Sequence, residues 1–518
     1  MRRFLIYVFT LGLLLGVTTP AESASGEPKR GGTLTFAISK KMKLMNPLVR
    51  TSSTEKRIRD LMFESLLGLD GSGKIQPNLA ESWKVSKDGK LYTFQLRKGV
   101  KFHNGQEMTA EDAKFAIDYT LNPKSGAYGL NDLSQVEGAR TAGRYTLKIY
   151  LKAPNPVFPT LLSSIRSFSV VPKGSLEVGM RKPPKFPPGT GPFKFTEWVP
   201  GQRIVLDRFD DYWGHKAYLD RVVLKVISNS AVRFTTVRTG EVDLIARAPY
   251  EWIKKIVAGE IKGVDVAKGS FGNARNIEFN VAAAPFNNRK MRYAVAHALD
   301  RNEILTAAYA GLGTPVEQRF PNDSVWYFKE AAAPSLDLDK ARALLKEAGY
   351  KGEELDLLLT RGVAGREIEA AVVQAQLKRI GMKVKLTVLE RGAALDLRRK
   401  GKFTFRFKGG SYYKDPVEAY NEYKCEEDLT KRIQNEAGYC SKEFDALLAK
   451  AETEVDPAKR KALVKSLVIR LYTDLPLVGI GVTPRYFAFG DRVKGFTTNQ
   501  NADFLYWGGG LHYTWLDK

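Results

Sequence analysis

The sequence predicts an α/β protein of about three domains. Three observations lead there. The chain has 518 residues, helical patterns alternate with strand patterns through its second half, and short runs of alternating apolar residues bounded by turns fill much of its first. Hydrophobic residues make up 43% and charged residues 27%, which is ordinary for a folded soluble chain and too apolar for disorder. A chain this long buries a large core, so it needs neither a metal nor a disulfide scaffold to fold. The charge balance is less ordinary: 81 Lys and Arg against 57 Asp and Glu give +24. That excess points to an acidic partner, whether nucleic acid, an anionic membrane surface or an anionic ligand. The basic residues form no tail or dense run, which argues against nucleic acid.

The first 25 residues have the form of a Sec signal peptide: Met1-Arg2-Arg3, then an apolar stretch from Phe4 to Val17, then small and polar residues. Fourteen residues rise only about 21 Å as a helix, short of a hydrocarbon core of about 30 Å. Cleavage is expected after Ser23 or Ser25. It removes two arginines and one glutamate, which leaves the mature chain at +23. Cys425 and Cys440 are the only cysteines, so no lipoprotein cysteine stands at the cleavage point and a soluble periplasmic protein is expected. In an oxidising compartment these two cysteines are expected to pair, the alternative being two buried free thiols.

Along the mature chain, Gly31-Gly32-Thr33-Leu34-Thr35-Phe36-Ala37 alternates as a strand does, and Thr54 to Leu67 carries Ile58, Leu61, Met62 and Leu66 at helical spacing. Residues 92–96 and 145–150 alternate again. Between them Thr109 precedes Ala110-Glu111-Asp112, a capped helix start whose acidic first turn suits the helix dipole. Five prolines and two glycines in 181–192 mark a crossing between domains. Residues 288–310 read as one helix with Met291, Ala294, Val295, Ala298, Leu299 and Ile304 on a face. Residues 337–349 read as an Asp-capped helix ended by glycine, and 367–380 as an amphipathic helix followed by a strand over 383–389.

Catalytic motifs fail on inspection. Gly68-Leu69-Asp70-Gly71-Ser72-Gly73-Lys74 nearly spells a P-loop, but the Ser/Thr that should bind Mg²⁺ is Ile75 and Gln76-Pro77 follow in place of a helix. A glycine-rich turn between short strands explains it better. Gly409-Gly410-Ser411 lacks the second glycine of a nucleophile elbow, that position being Tyr413. No zinc spacing exists among four scattered histidines, and His297, within an apolar helix, reads as a packed histidine. Neither catalysis nor a cofactor is expected.

Several segments together resemble the family 5 extracellular solute-binding proteins, the dipeptide, oligopeptide and nickel group that serves ABC importers. They are Leu79-Ala80-Glu81-Ser82-Trp83 through His103-Asn104-Gly105, with Thr109-Ala110-Glu111-Asp112-Ala113 after it; Gly189-Thr190-Gly191-Pro192-Phe193 with Trp198; Asn280, Pro285-Phe286 and Arg292 to Ile304; Ala341 to Tyr350; and Phe444-Asp445-Ala446-Leu447-Leu448. They cover nearly the whole mature chain in the family's order. The resemblance implies a two-lobed periplasmic-binding-protein fold with an extra subdomain in the first lobe and a hinge between lobes. Lobe I is then expected from 26–66, 190–274 and 488–518, the extra subdomain from 67–189, and lobe II from 275–487. It further implies a receptor that captures a peptide, peptide-like or anionic small solute and delivers it to membrane permease subunits as a monomer, with no nucleic acid partner. The competing classes are a periplasmic enzyme or chaperone on the same scaffold and a basic surface-binding protein acting on envelope polyanions or nucleic acid.

By the same resemblance the cleft is lined on one side by residues 46–53, where Thr51, Ser52 and Ser53 either bond the ligand or cap the helix that follows. The other wall is 405–416, with Arg406, Gly410, Ser411, Tyr412, Tyr413 and Asp415, whose alternative reading is a buried strand and a turn. Adjacent glycines permit close approach, and tyrosines offer flat faces with a polar tip. Peptide binders of the family place an aspartate for the peptide amine four residues before this proline; here that position is Tyr412, and Asp415 is no obvious replacement. The neighbourhood is basic instead, with Arg361, Arg366, Arg391, Arg398, Arg399, Arg406, Lys408 and Lys414. Arginines facing the cleft, Arg361 and Arg406 foremost, would favour a carboxylate or phosphate, the alternative being ordinary surface charge.

Overall fold

The computed structural model describes residues 27–517 apart from 40–41, 43–45, 50–52, 166, 180–185, 321, 323, 362–364, 412–414, 427, 429–433, 499–504 and 507. The signal peptide read over 1–25 therefore lies outside the described residues.

One sheet of eleven strands runs through the molecule. Its order is Lys383–Leu389, Glu354–Thr360, Phe405–Ser411, Val264–Phe279, Leu477–Gly490, Leu244–Ala246, Thr33–Ile38, Arg221–Val226, Arg203–Arg208 and Phe193–Val199, with Thr314–Pro315 beside Leu477–Gly490. Two of these strands are unusually long and pair with each other antiparallel, with register shifts between Gly269 and Asn273 and between Arg275 and Asn276. Their ends are buried in different cores. Ile277, Phe279, Leu477, Val478 and Ile480 pack with Leu357, Phe405 and Leu467. Val264, Tyr486 and Ala488 pack with Ala37, Phe234 and Ile245, next to a cluster built on Leu34, Phe36, Phe193, Val222 and Leu516. A further core forms around the four-stranded sheet Ala80–Val85, Leu91–Leu96, Thr146–Leu151, Val136–Thr141 and the helix Ala110–Leu121, with Phe94, Phe102 and Leu147 inside. This is the two-lobed arrangement with an extra subdomain. Two continuous strands thus join the two lobes.

Local chemistry explains most element boundaries. Thr109 and Asp112 make the reciprocal capping box that starts the helix Ala110–Leu121. Asp337 caps Leu338–Glu347, and Gly349 follows it in the left-handed region. The glycine-rich run 70–74 is the turn of the hairpin Leu67–Leu69 and Ile75–Pro77, with the Asp70 carboxylate accepting from Ser72, Lys74 and Gln76. His297 is buried, its Nδ1 2.9 Å from the Ser335 carbonyl.

Two expectations are corrected. The helix expected over 54–67 is Ser53–Asp60. The carbonyls of Leu61 and Met62 accept instead from Phe193 and Gly191, each at 3.0 Å. That contact is why glycine stands there: a Cβ at Gly189 would lie 1.9 Å from the Met62 carbonyl, and one at Gly191 2.7 Å from that of Leu61. The helix expected over 288–310 is two, Arg289–Ala298 and Arg301–Tyr309, because Asp300 turns out of the helix to accept from the Glu303 amide and cap the second. Arg292 and Arg301 are buried beside this break and are used up on backbone carbonyls of Phe286, Asp474, Gly479 and Pro334.

Cys425 and Cys440 form a disulfide across a sequence separation of 15. Closing a loop of that length contributes about 3 kcal/mol. Replacing both cysteines with serine is predicted to lower unfolding stability by about that amount in urea titration; an unchanged midpoint contradicts it.

Candidate ligand-binding site

The strand Phe405–Ser411 pairs antiparallel with 273–279, and the register sorts their side chains onto two faces. One face carries Phe405, Phe407 and Gly409 opposite Phe279, Ile277 and Arg275. The other carries Arg406, Lys408 and Gly410 opposite Glu278, Asn276 and Ala274.

The second face holds a buried ion network. Glu278, fully buried, takes Arg406 Nη2 at 2.5 Å, Lys408 Nζ, and the Tyr423 hydroxyl at 3.0 Å. Arg406 also meets Glu436 at 2.5 Å, which Arg398 approaches at 3.3 Å. Lys408 reaches Glu422 at 3.1 Å, and Arg319 pairs with the same carboxylate. Burial pushes the Glu278 carboxyl up, but Arg406 and Lys408 outweigh it and hold the group down at about 2. In these contacts four cations share three carboxylates.

The first face is different. Arg275 is only 4% exposed. Its Nε lies 3.3 Å from Thr483 Oγ1 and its guanidinium stacks over the Tyr309 ring at 4.8 Å. Among the described residues it has no carboxylate partner. Arg366, also buried, stacks on Phe407 at 4.7 Å and lies 3.3 Å from Glu369, which accepts from the Tyr309 hydroxyl. The two glycines at the end of the strand make room for this chemistry. A Cβ at Gly409 would stand 3.3 Å from Arg366 Nη2, and one at Gly410 3.2 Å from Arg319 Nη2. Close approach at these glycines thus serves two arginines of the protein itself.

The residues expected at the site fall in several places. Thr51, Ser52, Tyr412 and Tyr413 lie outside the described residues, as do the side chains of Ser53 and Ser411. The described part of the first wall is well held: Asn46 bonds Tyr119 and the Leu48 amide, and Arg59 donates to the carbonyls of Pro47 and Val49 at 3.2 Å. Arg361 is exposed and meets exposed Glu390 at 3.1 Å. Arg406 and Asp415 were expected against a ligand, yet both have internal partners. Arg406 belongs to the buried network. Asp415 caps the helix Pro416–Tyr420 and forms a two-pronged pair with Arg460 at 2.7 and 2.8 Å. Gly410 abuts Arg319. Sequence reading passed over Arg275 and Arg319. Arg275 had a legible signal: it shares the parity of Ile277 and Phe279, an arginine on the apolar side of a strand.

The family profile for bacterial extracellular solute-binding proteins, family 5, matches residues 74–428. The chain belongs to this family. It is a solute-binding protein of the ABC import class and not an enzyme. The chain is 27% identical over 469 residues to the glutathione-binding protein GsiB of Pectobacterium atrosepticum, which covers 89% of this chain and 90% of that relative. Among solved structures, the periplasmic binding protein DppA of Helicobacter pylori in complex with the peptide STSA has a TM-score of 0.81 at 28% identity, covering 95% of this chain and 99% of that one. AgaA of A. tumefaciens R10 in complex with agropinic acid has a TM-score of 0.80 at 30% identity, covering 94% and 99%. Among the described residues no helix is long and apolar enough to cross a membrane, and no group of three or more His, Cys, Asp or Glu could hold a metal ion.

The depressed Glu278 carboxyl stabilises the fold fully above its ordinary value of 4.5, and that contribution is lost as pH falls toward about 2. Glu278→Gln is predicted to destabilise the protein by about 3–5 kcal/mol at pH 7, because Arg406 and Lys408 lose their shared partner. Urea titrations between pH 7 and pH 2 should show the variant with the shallower acid dependence. Equal stability at pH 7 would contradict the assignment.

Proposed function

We propose that the protein is exported by its residue 1–25 leader and works in the periplasm as a monomeric receptor. It captures a peptide-like or anionic small solute between its lobes and hands it to the permease subunits of an ABC importer. Lobe I is taken as 26–66, 190–274 and 488–518, the extra subdomain as 67–189, and lobe II as 275–487. The observation that carries this reading is that two long strands pass between separate cores, beside the basic cluster. A solute touching both lobes favours the closed form by its differential affinity alone, and the permease reads that form.

The wall 405–416 favours a solute held by its acidic groups. Tyr412 stands where peptide binders of the family place an aspartate, and Asp415 is committed to Arg460. The relatives named for glutathione and agropinic acid bind acids, which fits a basic wall. The net charge of +24 would also draw an anion toward the protein before contact. Tyr412 and Tyr413 are taken as aromatic contacts, Thr51, Ser52, Ser53 and Ser411 as hydrogen-bonding groups, and Arg361 as an outer charge at the cleft edge.

Native mass spectrometry of protein purified gently from its own periplasm, followed by release of the bound species, tests this. A discrete small acidic adduct is expected; a mixture of unmodified peptides contradicts the acidic assignment. Tyr412→Asp is predicted to strengthen binding of the plain dipeptide Ala-Ala at least about tenfold by restoring an amine partner, about 1.4 kcal/mol. Calorimetry that finds no gain would contradict it.

A further inference from the structure

We infer that the protein has a second small-molecule site, a cavity beside Glu64, His215 and His512 that takes a small organic cation carrying a primary ammonium group. This inference does not rest on the receptor reading, because none of residues 46–53 or 405–416 lines the cavity. Its volume is about 270 Å³, room for about nine waters at about 30 Å³ each, so it suits a molecule with a comparable number of non-hydrogen atoms. It lies where two cores meet. Phe63 belongs to the core built on Leu34 and Phe36, Leu67 belongs to the core of the four-stranded sheet, and both line the cavity. An occupant therefore touches both bodies.

The polar groups of this cavity are hydrogen-bond acceptors. Glu64 is 2% exposed. Its two oxygens accept from the Tyr212 hydroxyl and the Trp213 indole N–H, each at 3.0 Å, and it has no ion pair with any described residue. Lys56, which also lines the cavity, pairs with Asp60 at 2.9 Å. Burial pushes the Glu64 carboxyl up to about 7, and its hydrogen bonds and the charge of Arg97 bring it only part-way back. A carboxyl in this state gains from a cation brought beside it. Two imidazoles complete the set. His512 is 4% exposed and His215 is partly buried. Neither ring makes a hydrogen bond, and His215 Nε2 and His512 Nδ1 are shut off from solvent without a partner. Burial lowers the pKa of both, that of His512 to about 3, so both rings are neutral at pH 7, and a neutral imidazole carries one acceptor nitrogen. Buried polar atoms without a partner are rare and costly; an N–H donor entering the cavity would supply one. Aromatic faces stand around these acceptors. His215 stacks on Tyr513 with centroids 4.1 Å apart, and Trp213 already carries the Arg97 guanidinium over its ring at 4.7 Å. Such faces hold cations. A carboxylate, neutral imidazoles and aromatic rings together select an ammonium with several N–H donors over a neutral molecule or an acid.

The test is calorimetry at pH 8 on the mature protein stripped of bound solute. Ethylamine, histamine and tyramine are the probes. The controls are 4-ethylphenol, which lacks the charge, 4-hydroxyphenylacetate, which reverses it, and tetramethylammonium, which lacks the N–H donors. At least one of the three amines should bind, at least tenfold tighter than every control. Gly68 lines the cavity, and a Cβ there would meet Asn78 first, at an ordinary 3.5 Å. Gly68→Leu therefore fills space while leaving Glu64 in place. It should weaken amine binding at least tenfold and keep the wild-type far-UV circular dichroism spectrum, and Glu64→Gln should weaken binding by at least as much. If Glu64→Gln fails to fold, Gly68→Leu decides alone. Binding by none of the amines, a control that binds as tightly as they do, or full amine affinity in Gly68→Leu would each overturn the inference.

Discussion

The strands Val264–Phe279 and Leu477–Gly490 have to satisfy two cores at once, and the rest of the molecule is arranged around that demand. Each buries apolar residues at one end among the helices of one lobe and at the other end in the opposite lobe. Between these ends Gly481, Thr483 and Arg485 belong to no apolar cluster, and a register shift falls between Gly269 and Asn273. The strands stay buried through this crossing, with Thr483 fully buried and Gly481 too close to Leu305 and the Thr314 carbonyl to carry a side chain, so both lobes are tied to one continuous pair of strands.

Charge gathers at the same level. One face of the lobe II sheet neutralises its cations against Glu278, Glu422 and Glu436, and this rigid network fixes the strand Phe405–Ser411 in register. On the other face Arg275 has no such partner among the described residues, and Arg366 stands near it. Gly409 and Gly410 serve both faces, since either side chain would displace an arginine.

Much of the fold was legible. The alternation in 33–37, the capping box at Thr109, the Asp337 cap and the strand 383–389 all stand where local chemistry put them. What escaped depended on distant partners. The Asp300 cap breaks a run whose apolar spacing is continuous, and the first helix stops at Asp60 because the Gly191 and Phe193 amides, far along the chain, take its next carbonyls. The site was half legible. Its basic wall could be read from 405–416, but which arginines are already paired could not, because Glu278, Glu436 and Arg460 reach them from other elements. Arg275 shares the parity of Ile277 and Phe279, a signal the sequence reading passed over, and only the packed structure shows that no acid among the described residues meets it.

A crystal structure of the protein with its native solute bound tests the central claim most directly. The account predicts a small acidic solute between the lobes, touching both, with the lobes closed about the two long strands. An unmodified peptide in that place, or a solute bound to one lobe alone, would contradict it.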